Sequence, residues 1–577
     1  MKRNLLFILF AFIYTIGNAQ VVFYVQPPSV FEGNYTLTFA DLASGDWGVS
    51  DLEDPANAVE GELAMALDGS ADSDSLVCEP PVISDVDGKI AVLYRGACEF
   101  GAKALAAQDA GAVAVVIINN GGLPIEMGGG VEGINVTIPV VMISTAAGAI
   151  LREAIIAGGM TAFIGNKTGF YGNDIGIKSY GPVRARNASN IQLLSQDDTE
   201  FEVQTGAWIT NFGSNDQMNV VLSAVINMDG SELYNESATA IDILSGDSAF
   251  VALPTFSQAT YDLGMYEMTY TLTTDSLDEF PADDTFEANF RMSENLYSYA
   301  EIVDEAAGPS NVKYTSSTTS GGELHSCIAF QDPNGSRVAP LGLTFSTSTF
   351  GEGLDGEVVS VYLYEWTLQF EDINDPDYTG IDEIDLDLLS SGVFEYVGDD
   401  LSGLNVYTAF EDVIELEDNV RYFFCVATES ETVRFGHDIT KVDYQTTQDI
   451  FLQAMFPLSD GTDWFLNGFG TDWAPGIAVH MVNVNALSVD EVSDNNNITP
   501  YPNPAQDFIQ IPLNDVSGLT TVQIFDLAGK LVETQTISVT PGEVLQFNVS
   551  NLENGIYTFG LRYENGNISN FNVVIAK

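Results

Sequence analysis

Basic residues are scarce in this chain: 19 Lys and Arg stand against 82 Asp and Glu, a formal charge of −63. A surface of that sign repels nucleic acid phosphates and anionic membrane faces, which argues against both as partners. It suits a saline exterior and loose binding of divalent cations. Histidine is scarcer still, with His325, His437 and His480 alone. None stands in an HExxH pair, so that zinc peptidase signature is missing. No serine sits in a GxSxG elbow, and a Ser-His-acid triad has only these three imidazoles to draw on. There are four cysteines, without a CxxC pair or a Cys/His cluster, which argues against zinc and thioredoxin-like sites. Beyond the first 20 residues no apolar run reaches transmembrane length.

What is present points to export and to β structure. Lys2 and Arg3, the apolar run 5–16 and the small residues 17–19 read as a signal peptide, residues 1–19, cut before Gln20. In an exported chain an even cysteine count is compatible with two disulfides. At 577 residues the chain is too long for one core and implies about three to five domains. High glycine content, with stretches rich in Thr, Val, Tyr and Phe, favours strands and turns.

The pattern changes along the chain. Residues 46–74 are acidic and mixed and read mostly as loop. Residues 89–94, 113–118 and 138–143 are solid apolar runs, the mark of strands covered on both faces. Between and after them, 100–111 and 144–157 carry helical spacing, the second with Ser144 as cap and Gly158-Gly159 as stop. That alternation predicts a small α/β unit. From about 190 short strands and turns take over, including 201–204, 219–226 and 265–272, and predict a β-sandwich over 190–296. A larger β-rich region, 297–487, with a jelly-roll-like sandwich as the expected form, contains strong strands at 358–366 and 419–428. In the first of these, Val359, Val361, Leu363 and Glu365 face one way and Tyr362, Tyr364 and Trp366 the other. Residues 488–499 have linker composition, and 500–577 return to short strands.

Residues 78–120 carry Cys78-Glu79-Pro80-Pro81, Gly88-Lys89-Ile90-Ala91-Val92-Leu93, Arg95-Gly96, Cys98-Glu99-Phe100, Lys103, Ala106, Ala110-Gly111-Ala112 and Asn119-Asn120. With Ile138-Pro139-Val140-Val141-Met142-Ile143-Ser144, this series resembles the protease-associated domain family. We assign residues 20–180 to that domain with its N-terminal strands. The resemblance implies an accessory lid or interaction module of proteases and receptors that is not itself catalytic. A tight turn at Arg95-Gly96 would return Cys98 to Cys78, and a disulfide there closes a loop of about 20 residues, worth roughly 3 kcal/mol in the loop-entropy model.

Tyr501-Pro502-Asn503-Pro504-Ala505, the run 522–530 and Leu552-Glu553-Asn554-Gly555-Ile556-Tyr557, with Lys577 at the end, resemble the type IX secretion sorting domain of the Bacteroidota. The resemblance implies handling by that export machinery and delivery to the exterior or the outer cell surface. Trp208-Ile209-Thr210-Asn211-Phe212-Gly213 and the strand after it look like an immunoglobulin-like surface module.

Other candidates are fewer. His325 precedes Cys327 by two residues, so both face one side of a strand; the expected role is a strand residue beside a disulfide from Cys327 to Cys425. Asp372, Asp375 and Asp377, in the acidic loop 372–387, are candidate calcium ligands, although the EF-hand spacing is absent. No other cofactor is expected. A glycosidase needs only two carboxylates, and no motif among the 82 acids points to a pair.

The expected fold is therefore mainly β and multidomain: a small α/β protease-associated domain, immunoglobulin-like and jelly-roll β-sandwiches, and a terminal β-sandwich sorting domain. The expected function is that of a secreted or cell-surface, non-enzymatic binding protein whose target is protein or polysaccharide. The alternative is an accessory or catalytic component of extracellular protein or polysaccharide degradation, with its site in 297–487. An enzyme predicts a cleft with convergent carboxylates of shifted pKa; a binding module predicts a flat or loop-built surface.

Overall fold

The computed structural model describes residues 21–70, 74–78, 81–315, 322–349, 353–440, 442–487, 500–513, 518–525, 531–540, 543–563 and 568–577. The signal segment, the linker 488–499, Glu79, Pro80 and the turn 526–530 lie outside the described residues. The chain forms two compact units, 1–484 and 485–577.

The first unit opens with an eight-stranded sheet. Its order is Gly33–Tyr35, Val21–Val25, Thr161–Asn166, Val59–Met65, Ile90–Tyr94, Ala114–Ile118, Val140–Ile143 and Leu37–Phe39. The four strands from Val59–Met65 to Val140–Ile143 run parallel. The helix Phe100–Asp109 packs Ala104 and Ala107 on one face, against Leu93, Val115 and Ile117. The helix Thr145–Ala157 packs Leu151 and Ile155 on the other, against Val92, Val116 and Ile118. Two covered faces are why these strands read as unbroken apolar runs. Ser144 caps the second helix, its hydroxyl accepting from the Ala147 amide.

One stretch departs from the sequence reading. Within 46–74, read as mostly loop, Val59–Met65 forms an interior strand. Glu60, Gly61 and Glu62 hide it by breaking the apolar pattern, and pairing on both sides supplies what local propensity lacks.

Two sandwiches follow. In the first, a sheet built on Gln217–Met228 and Gly264–Thr273 faces a three-stranded sheet of Ser248–Phe256, Val203–Asn211 and Ile175–Pro182. Ile209, Leu222, Val251 and Tyr270 share the core between them. Because Ile175–Pro182 pairs with Val203–Asn211, this sandwich begins well before residue 190, and the strand does not belong to the α/β unit. In the second sandwich, a sheet built on Val338–Ser348 and Ala478–Asn483 faces a six-stranded sheet. The order of the latter is Leu386–Glu395, Val358–Trp366, Tyr422–Thr428, Leu324–Phe330, Leu458–Ser459 and Trp464–Phe465. Val359, Val361 and Leu363 enter the core between the sheets, while Tyr362, Tyr364 and Trp366 lie on the outer face.

Polar anchors join these parts. Lys167, fully buried, donates to Asp174 Oδ1 at 2.6 Å and Asp283 Oδ2 at 2.7 Å. Its ammonium lies 4.3 Å from the Phe212 ring centre and 4.0 Å from that of Phe280. Phe280 also meets Tyr24 of the α/β sheet at 4.5 Å. Burial raises both carboxyls, and Lys167 pulls them back. Between the sandwiches, Arg337 forms a two-pronged pair with Glu200, and Arg184 donates to the Asp443 carbonyl.

The second unit packs the pair Phe508–Leu513 and Glu543–Asn548 with a four-stranded sheet, Leu531–Val539, Gly518–Phe525, Gly555–Tyr563 and Ile568–Ile575. Ile509, Ile511, Val522, Ile524 and Phe559 form its core.

Candidate functional site

Two surfaces stand out, one in the α/β domain and one on the second sandwich. In the α/β domain the parallel strands end at a loop spanning 119–139. Asn119, fully buried, shapes its start by donating to the Gly121 carbonyl at 2.8 Å and the Leu123 carbonyl at 2.5 Å, while its own oxygen accepts from Arg95. Trp47 Nε1 donates to the Met127 carbonyl at 2.7 Å. Asp46 accepts from the Gly129 amide at 2.6 Å, and Glu99 accepts from the Val131 amide at 3.0 Å. The Ser44 hydroxyl and the Gly129 amide hold the Asp46 carboxyl below its ordinary range. On this fixed backbone Val131 is 76% exposed and Ile134 58%.

Beside the loop, Cys78 and Cys98 form a disulfide across 20 residues. Lys103, buried in the helix, donates to the Leu76 carbonyl and approaches the Cys78 sulfur at 3.3 Å. Burial lowers its pKa to about 8. The side chain thus ties the disulfide loop to the helix.

The second surface is the outer face of the six-stranded sheet. Its floor is the Cys327–Cys425 disulfide. The two cysteines stand opposite each other on neighbouring strands, and the Cys327 amide turns away from Cys425 to bond Pro457. They therefore occupy a non-hydrogen-bonded position, where antiparallel backbones come closest. Around the floor, His325 lies 5.5 Å from Tyr362, 6.1 Å from Tyr364 and 5.5 Å from Trp464, ring centre to ring centre. Tyr362 donates to the Glu323 carboxylate at 3.1 Å. His325 Nδ1 faces the Glu323 carbonyl at 3.1 Å, leaving Nε2 toward Tyr364 Oη at 3.4 Å. Burial lowers the imidazole pKa and raises those of Glu323 and Tyr364, and Nε2 also lies 3.6 Å from the Glu323 carboxylate.

At the other end of the face, Trp366 packs against Phe370 at 4.8 Å and Phe423 at 5.0 Å. A small cavity opens there, lined by Trp366, Arg186, Arg421, Gln331 and Gln453 among others. Sequence reading missed it because Arg186 enters from the first sandwich and Arg421 from the second. Only the fold brings them together, and no spacing signals it.

The remaining sequence candidates fall in separate places. The loop bearing Asp372, Asp375 and Asp377 packs on the same outer face through Phe370 and Tyr378. Asp372 accepts from the Asn374 amide, and Asp375 from the Glu371 and Asp377 amides. Those amides hold the Asp375 carboxyl below its ordinary range. Among the described residues no three His, Cys, Asp or Glu side chains form a metal-holding group.

His437 is buried, with Nε2 3.5 Å from Ser326 Oγ and Nδ1 facing the Phe435 carbonyl. Burial pushes this imidazole down to about 4, and a carbonyl stands where a triad would place an acid. His480 bonds Thr344 on another strand. Carboxyls raised by burial gather around Lys167, at Asp174, Asp278, Asp283 and Asp284, and within 297–487 burial raises Asp443 and Asp472, the charge of Asp472 lifting Asp443 further.

In the second unit, Tyr501 exchanges two backbone bonds with Gln510, and Asn503 accepts from the Val574 amide. Ala505 bonds Val574 and Ala576, so the Tyr501-Pro502-Asn503-Pro504 segment braces the first strand against the last. The Lys577 ammonium donates to the Ser550 carbonyl at 2.5 Å and also to that of Leu552.

Comparison with known families agrees with this architecture. Residues 56–151 match the PA domain, the protease-associated family, and residues 499–575 match the secretion system C-terminal sorting domain. The chain is thus a PA-domain protein bearing a type IX sorting domain, which marks it for export to the cell surface or the exterior. Over 81 residues it is 37% identical to a probable leucine aminopeptidase 2 of Aspergillus fumigatus, covering 14% of this chain and 16% of that protein. Among solved structures it is similar to an aminopeptidase from Aneurinibacillus sp. strain AM-1, at 21% identity and a TM-score of 0.19, over 26% of this chain and 30% of that one. A zinc aminopeptidase from Bacillus subtilis matches at 24% identity and a TM-score of 0.19, over 25% and 29%. The chain spans less than a third of the length of each of these relatives. Among the described residues no helix is long and apolar enough to cross a membrane.

Proposed function

We propose that the protein is a secreted or cell-surface, non-enzymatic binding protein in which the PA domain is the interaction module. The observation that carries this reading is the loop 119–139. Its exposed Val131 and Ile134 stand on a backbone fixed by Asn119, Trp47, Asp46 and Glu99, so a partner meets apolar anchors whose ordering is already complete. The aromatic face of the second sandwich offers a second contact, with Tyr362, Tyr364 and Trp464 presenting partly exposed rings beside hydroxyl and carboxylate groups.

The likeness to an aminopeptidase over 81 residues supports a second reading, an accessory part in extracellular breakdown of protein. One experiment separates them. The full exported chain is passed over casein, gelatin and a polysaccharide panel, with retention and hydrolysis followed together. Retention without hydrolysis, lost in Val131→Asp and Ile134→Asp, is the expected result. Hydrolysis that persists through purification would overturn the non-enzymatic reading.

A further inference from the structure

The cavity at the Trp366 end of the aromatic face has an unusual electrostatic make-up for this chain. It is lined by Arg186, Arg421, Trp366, Gln331, Gln453 and Tyr299 among its polar and aromatic groups, and no carboxylate lines it. Among the described residues neither arginine forms an ion pair, although acids outnumber bases 82 to 19. Arg421 spends Nε and Nη2 on the Gln453 amide oxygen and the Glu371 carbonyl, with its guanidinium 3.8 Å from the Phe370 ring centre. Its two Nη1 hydrogens remain. Arg186 lies 5.7 Å from the Phe451 ring centre and takes no hydrogen-bond acceptor among the described residues. Trp366 is 2% exposed, and its Nε1–H, a donor with no acceptor function, has no partner among the described residues. A buried donor left unmet costs about 1–3 kcal/mol.

We propose that this cavity binds a carboxylate group, held by Arg186 and Arg421 with the Trp366 indole N–H as a third donor. Arginine forks match the planar carboxylate and are less costly to desolvate than ammonium groups. The cavity has room for one or two water-sized groups, so it takes a small polar group at most. Burial, and then the charge of Arg186, lower the Arg421 pKa, so the two cations oppose each other; burial raises the Asp332 carboxyl and the charge of Arg186 draws it back, so one acid already lies within electrostatic reach of the pair without lining the cavity. The inference rests on the reading of this face as a binding surface and names the chemistry at one end of it.

The indole proton is its own reporter. The full exported chain, labelled with ¹⁵N-tryptophan, gives five indole signals, and Trp366→Phe assigns the relevant one. Sodium acetate is titrated against sodium chloride at matched ionic strength. The Trp366 signal is expected to move downfield and saturate with acetate, to respond far less to chloride, and to lose saturation in Arg186→Gln, with Arg186→Lys intermediate. The other four signals stay in place and certify the fold. An N-acetyl dipeptide with a free C-terminal carboxylate, its amide, and N-acetylglutamate amide as a side-chain acid distinguish a peptide end from an acidic side chain.

Absence of a saturable shift, an equal response to chloride, or a response unchanged in Arg186→Gln would overturn the assignment. Polymer retention without an acetate response sinks the cavity and spares the binding reading; the converse result does the reverse.

Discussion

Replacing Lys167 by Met removes the cation that pairs with two buried carboxylates, Asp174 and Asp283. Met keeps the stem that fills the space between Phe212 and Phe280. Asp174 has no exposed side-chain area and Asp283 has 8%, so water cannot take the place of the ammonium. Breaking such a pair from one side costs about 3–5 kcal/mol. The pH dependence carries the sharper test. Both carboxyls are raised by burial in the folded chain. A raised acid contributes stability that is fully present below its unfolded pKa and is lost as pH rises through its folded pKa. Wild type should therefore weaken from the ordinary aspartate range toward neutrality, then level off once the pair ionises against Lys167. The variant has nothing to ionise against and keeps falling, by up to about 1.4 kcal/mol per pH unit for each carboxyl.

All five tryptophans lie in the first unit, so urea unfolding followed by their fluorescence reads the unit concerned. The deficit should be smallest in mild acid and widest in alkali. Adding Asp174→Asn and Asp283→Asn to Lys167→Met should flatten that profile. A deficit under about 1 kcal/mol, or one that ignores pH, would refute the reasoning.

Three further outcomes are expected. The Cys327–Cys425 bond spans 98 residues, so Cys327→Ser with Cys425→Ser should cost up to about 4–5 kcal/mol in the loop-entropy model, read as a fall in urea midpoint under oxidising conditions, with reductant adding only what the remaining Cys78–Cys98 bond contributes. Gly101→Ala would set a methyl group 2.1 Å from the Gly129 oxygen and 2.4 Å from the Gly133 nitrogen; the 119–139 loop should loosen, seen as faster proteolysis there and weaker retention on any polymer that binds. Ending the chain at residue 499 should leave it in the periplasm, which fractionation would reveal.

Much of the fold was legible because burial leaves a rhythm. In Val358–Trp366 the alternation of aliphatic and aromatic residues assigned both faces, and the structure places them so. The solid apolar runs 113–118 and 138–143 announced strands with helices on both sides. His325 and Cys327, two apart, share the face that the strand period requires, and Cys425 is the partner cysteine. The strand Val59–Met65 was not legible, because Glu60-Gly61-Glu62 carry no strand signal and the neighbours decide the conformation. The Arg186–Arg421 cavity was invisible for a different reason: its chemistry depends on two residues that meet only after two sandwiches have docked. The Lys167 anchor was likewise hidden, since a lone lysine among so many acids reads as a surface charge.

Tension offers another view of the second sandwich. A load entering the first unit from residue 484 arrives through the strand Ala478–Asn483. That strand is an interior one, flanked by Val338–Ser348 along its whole length and by Leu296–Tyr297 on the other side. A pull along its axis strains these hydrogen bonds together, as a lap joint does, instead of opening them one at a time. On the opposing sheet, the Cys327–Cys425 bond is a cross-stitch between neighbouring strands that cannot slide. A pull on residue 484 is therefore met by a strand paired on both sides, in a sandwich whose opposing sheet is cross-linked.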